Sequence, residues 1–132
     1  MPDATIRGKC EINMEAPDVI ATRQWFVQND EGDFRAVTIA FSRPLQEVSG
    51  EWACVYRIDG LDIEPFTPSA PIFGVDGVQA LYLAMRYVGY AIQESLPFKK
   101  RRLFMNASGE TPLRERDLGL PIGHVPKRRK GR

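Results

Sequence analysis

The sequence predicts an α+β fold: an antiparallel sheet of four or five strands with one long helix packed on one face. Three observations lead there. Two stretches, Thr5 to Glu15 and Glu51 to Asp59, alternate apolar and polar residues with the period of a half-buried strand. The 10 prolines and 11 glycines divide the chain into short elements. Near residues 76 to 96 the apolar residues recur instead with the period of a helix. A chain of 132 residues with 43% apolar content supplies one core of ordinary size.

In Thr5 to Glu15, Ile6, Cys10, Ile12 and Met14 share one face, and Arg7, Lys9, Glu11, Asn13 and Glu15 the other. Val19 to Gln28 is rich in β-formers and closes on Asn29-Asp30-Glu31-Gly32-Asp33, a loop with the glycine a hairpin needs. A strand over Phe34 to Phe41 follows. Val37, Ile39 and Phe41 form one face, while Phe34, Ala36 and Ala40 keep the other apolar or small, which places this strand centrally. After the breaks at Pro44 and Ser49-Gly50, Glu51 to Asp59 turns Trp52, Cys54, Tyr56 and Ile58 inward. From Gly60 to Gly74, Pro65, Pro68 and Pro71 predict an ordered crossover without regular hydrogen bonding, with Phe66, Ile72 and Phe73 to bury.

Asp76 reads as a helix N-cap with Gln79 three residues on, a variant of the capping box, and Leu96 before Pro97 ends the helix. At 100° per residue, Gln79, Arg86 and Gln93 make a narrow polar stripe flanked by Tyr82 and Tyr90. Val78, Leu81, Met85, Val88, Ile92 and Leu96 fill one broad face, expected to lie on the sheet with Gly89 permitting close approach. Ala80, Leu83, Ala84, Tyr87 and Ala91 extend the apolar arc, so the crossover, the C-terminal segment or a second subunit is expected to cover the alanine side. Leu103-Phe104-Met105 predicts a short edge strand.

The domain is expected to span residues 1–109, followed by an extended or disordered basic tail over 110–132. Charge divides the same way. Residues 1–98 hold 7 Lys and Arg against 14 Asp and Glu, a net of −7; residues 99–132 hold 11 against 3, a net of +8. The tail either folds back on an acidic body or meets an acidic partner. No positively charged start leads into an apolar run, so a secretory signal is not expected and a cytoplasmic location is. Arg86 in the middle of the most apolar segment argues against a membrane span. The two cysteines, Cys10 and Cys54, read as small core side chains in a reducing compartment.

The segment Tyr56-Arg57-Ile58-Asp59-Gly60-Leu61, followed by Phe73-Gly74-Val75-Asp76-Gly77-Val78-Gln79-Ala80-Leu81-Tyr82-Leu83-Ala84-Met85, resembles a family of short, uncharacterised bacterial proteins known only as a domain of unknown function. In that family a strand ending in an I-x-G-L-like turn precedes a helix opening G-V-D-S-x-Q-A-L-x-L-A. The resemblance covers about residues 34 to 96; Gly77 stands where a serine is commoner. It implies the fold and carries no activity, cofactor or partner.

No constellation points to catalysis, a cofactor or a metal. His124 is the single histidine and has neither a Cys nor a second His at ligand spacing. Asp59, Asp62 and Glu64 form one acidic cluster and Asp30, Glu31 and Asp33 another, neither with the spacing of a calcium loop. They read as solvated turns, and an enzyme would be recognisable if several of them converged with Arg86 in one pocket. Tyr82, Arg86 and Tyr90, at i, i+4 and i+8, line a ridge that is either a small recognition surface or an amphipathic boundary. The sharpest feature is basic: Lys99, Lys100, Arg101 and Arg102, then Lys127, Arg128, Arg129, Lys130 and Arg132. The expectation is a small non-catalytic interaction protein, with a homodimer through the alanine side of the helix or a protein partner in view. The alternative is nucleic-acid or other acidic-partner binding through the basic tail, with the steep salt dependence of phosphate contacts.

Overall fold

The computed structural model describes residues 18–121. The expected strand at 5–15, His124 and the basic residues Lys127 to Lys130 and Arg132 lie outside the described residues. The elements run β1 (Val19–Gln28), β2 (Phe34–Ser42), β3 (Leu45–Gln46), β4 (Trp52–Asp59), β5 (Ser69–Gly74), α1 (Gly77–Glu94), α2 (Leu96–Lys99) and β6 (Leu103–Phe104). The fold is α+β, with an antiparallel sheet and one long helix packed against it.

The β1–β2 hairpin closes as its loop composition requires. The Asn29 side-chain oxygen accepts from the backbone N–H of Glu31 and Asp33, and Gly32 takes φ +90°. The pairing sets Trp25 beside Val37 and Val27 beside Arg35. β2 is central, between β1 and β4, as its two apolar faces require. Between the Phe41/Tyr56 and Leu45/Ala53 pairs, three residues of the first strand face two of β4, a bulge at Ser42-Arg43-Pro44. Buried Ser42 mends the ladder there: its Oγ accepts from the Val55 N–H at 2.8 Å.

β5 corrects the expectation that three prolines keep residues 60–74 out of the sheet. Val55 donates toward Ser42 and Ile58 toward the Pro68 carbonyl, so alternate residues of β4 face opposite edges. Pro71 is the partner of Val55, and its nitrogen therefore points away from β4. The missing N–H removes no ladder bond and blunts an outer strand.

The helix start follows its sequence signal with one adjustment. Asp76 Oδ1 accepts from the Gln79 N–H at 2.8 Å, while Gln79 Oε1 reaches past the cap to the Val75 N–H, also at 2.8 Å. Asp76→Ala is expected to destabilise the fold by about 1 kcal/mol in urea denaturation, since it strands one helical donor.

The helix lies on β4 and β5 rotated toward its alanine side relative to the sequence expectation, which holds for Val88, Gly89 and Ile92. Its buried residues are Ala80, Ala84, Val88, Gly89, Ala91 and Ile92. The alanine side thus meets the sheet, Leu81 and Met85 are half-buried, and Val78 is 79% exposed. The physical reason is close approach at the β5–α1 turn, where a Cβ on Gly74 would sit 2.6 Å from the Ala80 nitrogen. At that separation only small side chains fit between the first turns of the helix and β5, whereas Val88 and Ile92 find room further along. Phe66 of the proline-rich loop packs edge-on against Tyr87 and Tyr90, at 5.9 and 5.3 Å between ring centres.

Ser95 ends α1 with ψ 146°, and its Oγ both donates to the Ile92 carbonyl and accepts from the Phe98 N–H that opens α2. After β6, the Leu113 N–H donates to the Leu103 carbonyl at 2.7 Å, and the Leu118 carbonyl accepts from Arg23 Nη1 at 2.6 Å. Leu113 and Leu118 are buried in the same core as Trp25 and Val27. Residues 110–121 therefore belong to the folded body, which corrects the boundary expected at 109. Among the described residues no helix is long and apolar enough to cross a membrane.

Candidate functional site at the end of the sheet

At the hairpin end of the sheet the chain leaves a cleft of about 590 Å³. Its base is the end of β1 and β2, with Val27, Gln28 and Arg35; one wall is the loop Gly60-Leu61-Asp62 with Glu64; the other is α2, with Leu96, Pro97 and Lys100. Gly60 makes this loop possible. It adopts φ +89° and comes so close to β2 that a Cβ would lie 2.3 Å from the Ala36 oxygen. Asp62 Oδ1 accepts from the Glu64 N–H, which shapes the loop behind it.

The basic run that reads as one patch in the sequence is divided between two surfaces. Lys100 and Arg102 line the cleft, whereas Lys99 and Arg101 line a separate groove of about 350 Å³ with Arg114, Glu94 and Glu115. Two of the four are already paired: Lys99 with Glu94 at 3.2 Å, and Arg102 with Asp30 across the hairpin loop. Lys100 and Arg101 are exposed and make no ion pair among the described residues.

Arg101 is held in the left-handed region, φ 59°, and is the one non-glycine residue with positive φ among those described. The turn demands it. The Arg101 N–H returns to the Phe98 carbonyl and the Arg102 N–H to the Pro97 carbonyl at 2.8 Å, closing the end of α2; the Arg102 carbonyl then accepts from Gln28. Glycine is the usual occupant of such a position because a Cβ costs about 1–2 kcal/mol there.

Among the tyrosine–arginine ridge residues, the Arg86 guanidinium lies over the Tyr82 ring at 5.8 Å, while Tyr90 is half-buried against Phe66. Asp30, Asp62 and Glu64 do converge in one cleft, although with Arg35, Lys100 and Arg102 rather than with Arg86. Sequence reasoning missed Arg35 and Arg114 as members of these surfaces. Arg35 is exposed near the start of β2, on the same side of the strand as Val37; Arg114 had no local signal, being placed by the packing of Leu113.

Burial pushes the Cys54 thiol up to about 11, against a smaller opposing effect of its hydrogen bonds with Ser42. Burial, with Tyr87 beside it, pushes the Tyr56 hydroxyl up as well. Both groups are held neutral in the core, away from the cleft. A pKa raised on folding gives stability that is complete below the unfolded value and lost as pH rises through the folded one. Stability is therefore expected to fall between pH 9 and about 11 through Cys54, with a slope of at most ~1.4 kcal/mol per pH unit. Denaturation midpoints of the parent and Cys54→Ala across that interval check it: the variant should lose the Cys54 component of the slope.

The fold and this end-of-sheet arrangement define a small α+β domain with a mixed-charge cleft and an adjoining basic groove. The chain belongs to the family described as a domain of unknown function, DUF6968, which matches residues 21–115. No curated protein and no solved structure matches it.

Proposed function

We propose that this chain is a non-catalytic interaction protein that meets an acidic protein partner through the groove face of its basic turn. The observation that carries the reading is Arg101, an arginine kept in a left-handed conformation that glycine would adopt with less strain. Backbone strain retained at an exposed side chain is explained when that side chain is used. Arg114, 13 positions further along the chain, adds a cation to the same groove beside the Lys99 that is paired with Glu94.

The test is fluorescence anisotropy with a labelled oligoglutamate peptide and, in parallel, a single-stranded oligonucleotide. Arg101→Gly should leave the fold equally or more stable, by about 0–1 kcal/mol once the entropy of glycine is set against the relieved strain. It should nevertheless weaken peptide binding at least fivefold. Unchanged binding of the peptide by Arg101→Gly, or its absence in the parent at low salt, would sink the proposal. A chain ending at Pro121 separates the contribution of Lys127 to Arg132. Tighter, tail-dependent binding of the oligonucleotide would favour the nucleic-acid reading instead.

A homodimer is a second reading with a changed location. The alanine side of the helix is occupied by the sheet, so a second copy would have to dock on the exposed surface at Val75 and Val78.

A further inference from the structure

We infer that the end-of-sheet cleft is a binding site for a small zwitterionic ligand of the amino-acid or short-peptide class, with an aliphatic body. The argument begins with charge. The ion pair between Arg102 and Asp30 neutralises two of the charged groups that line the cleft. What remains is of both signs: Arg35 and Lys100 on one side of the balance, Asp62 and Glu64 on the other. None of these four is taken up by an ion pair among the described residues.

A purely anionic ligand would place its charge among two carboxylates, and a purely cationic one among a guanidinium and an ammonium. A dipolar ligand can give each set its opposite. Its carboxylate would meet Arg35 and Lys100, and its ammonium would meet Asp62 and Glu64. Charge-assisted hydrogen bonds of this kind are the strong ones, and Arg35 offers a planar fork suited to a carboxylate.

The apolar lining specifies the rest. Val27 at the base and Leu61 in the loop wall are buried, while Leu96 on α2 is 60% exposed and so has aliphatic surface available to a ligand. A volume of about 590 Å³ lies within the ~300–1,000 Å³ typical of small-molecule sites, enough for a peptide of about two or three residues. The cleft is also built on rigid parts. Gly60 is locked against β2, and α2 is tied to β1 through the Gln28 to Arg102 hydrogen bond.

This inference stands apart from the partner reading, because the cleft and the groove use different residues of the basic turn. The test is an amide chemical-shift titration of the full chain with four probes: leucyl-leucine, its N-acetyl form, its C-terminal amide, and the doubly capped peptide. Leucyl-leucine is expected to shift the amides of Val27, Leu61 and Lys100 saturably, with at least a tenfold loss of affinity on capping either end. Lys100→Ala should weaken the free dipeptide and the C-terminal amide unequally, with little further effect on the amide, whereas Asp62→Asn should spare the N-acetyl form. Arg101→Gly should bind the dipeptide as the parent does. Equal binding of all four probes would reduce the cleft to an apolar contact, and no response to leucyl-leucine at ~10 mM would overturn the site; either result rejects the inference.

Discussion

Gly60→Ala is expected to lower stability by about 3 kcal/mol or more, because among the described residues Gly60 combines a positive φ with a backbone contact closer than at the other glycines. Two costs add. The φ of +89° penalises any Cβ, and this Cβ would lie 2.3 Å from the Ala36 carbonyl oxygen, a backbone atom that cannot rotate aside. Gly50 is the control. It has φ +100° but nothing within 4 Å of the added Cβ, so Gly50→Ala should show the conformational penalty alone, about 1–2 kcal/mol. The difference between the two variants in urea denaturation measures the contact between the Gly60 loop and β2. If Gly60→Ala matched Gly50→Ala, the loop would not be pinned as described, and the cleft wall would lose its rigidity.

Leu118→Ala should remove about 2–5 kcal/mol, the range for a fully buried leucine. The value bears on the domain boundary, because this residue lies in a stretch whose prolines and glycines read as a tail. Met105, 55% exposed, is the comparison, and Met105→Ala should stay within about 0.5 kcal/mol of the parent. A chain ended at Gly109 would lose Leu113 and Leu118 together and is expected to show no cooperative unfolding transition. Cooperative folding of that shortened chain, or a negligible effect of Leu118→Ala, would show that residues 110–121 lie outside the core.

The candidate site was legible only in part. The Lys99 to Arg102 run and both acidic turns stand out in the sequence, as does the five-residue hairpin loop that carries Asp30. That Asp30 closes an ion pair with Arg102, 72 positions away, has no local signature. Nor does the alternation by which Lys100 and Arg102 enter one surface while Lys99 and Arg101 enter another. That division depends on the left-handed turn at Arg101, which an arginine does not advertise.

What the amino-acid order determined by itself is most of the longer elements: the strands of Val19–Gln28 and Trp52–Asp59, the central position of β2, and a helix opened by Asp76 and Gln79, though not β5, nor the helix end at Glu94 rather than Leu96. These rest on periods of two and 3.6 residues and on caps, all of which act within a few positions of the chain. Tertiary structure alone decided which side of the helix faces the sheet, whether Pro71 could join a strand, and that Leu118 is core. Each is settled by how closely surfaces approach in space, which no local period records. The approach of Ala80 to Gly74 leaves room only for small side chains at the start of the helix, so the buried face combines Ala80, Ala84 and Ala91 with Val88 and Ile92, while Val78 is turned outward.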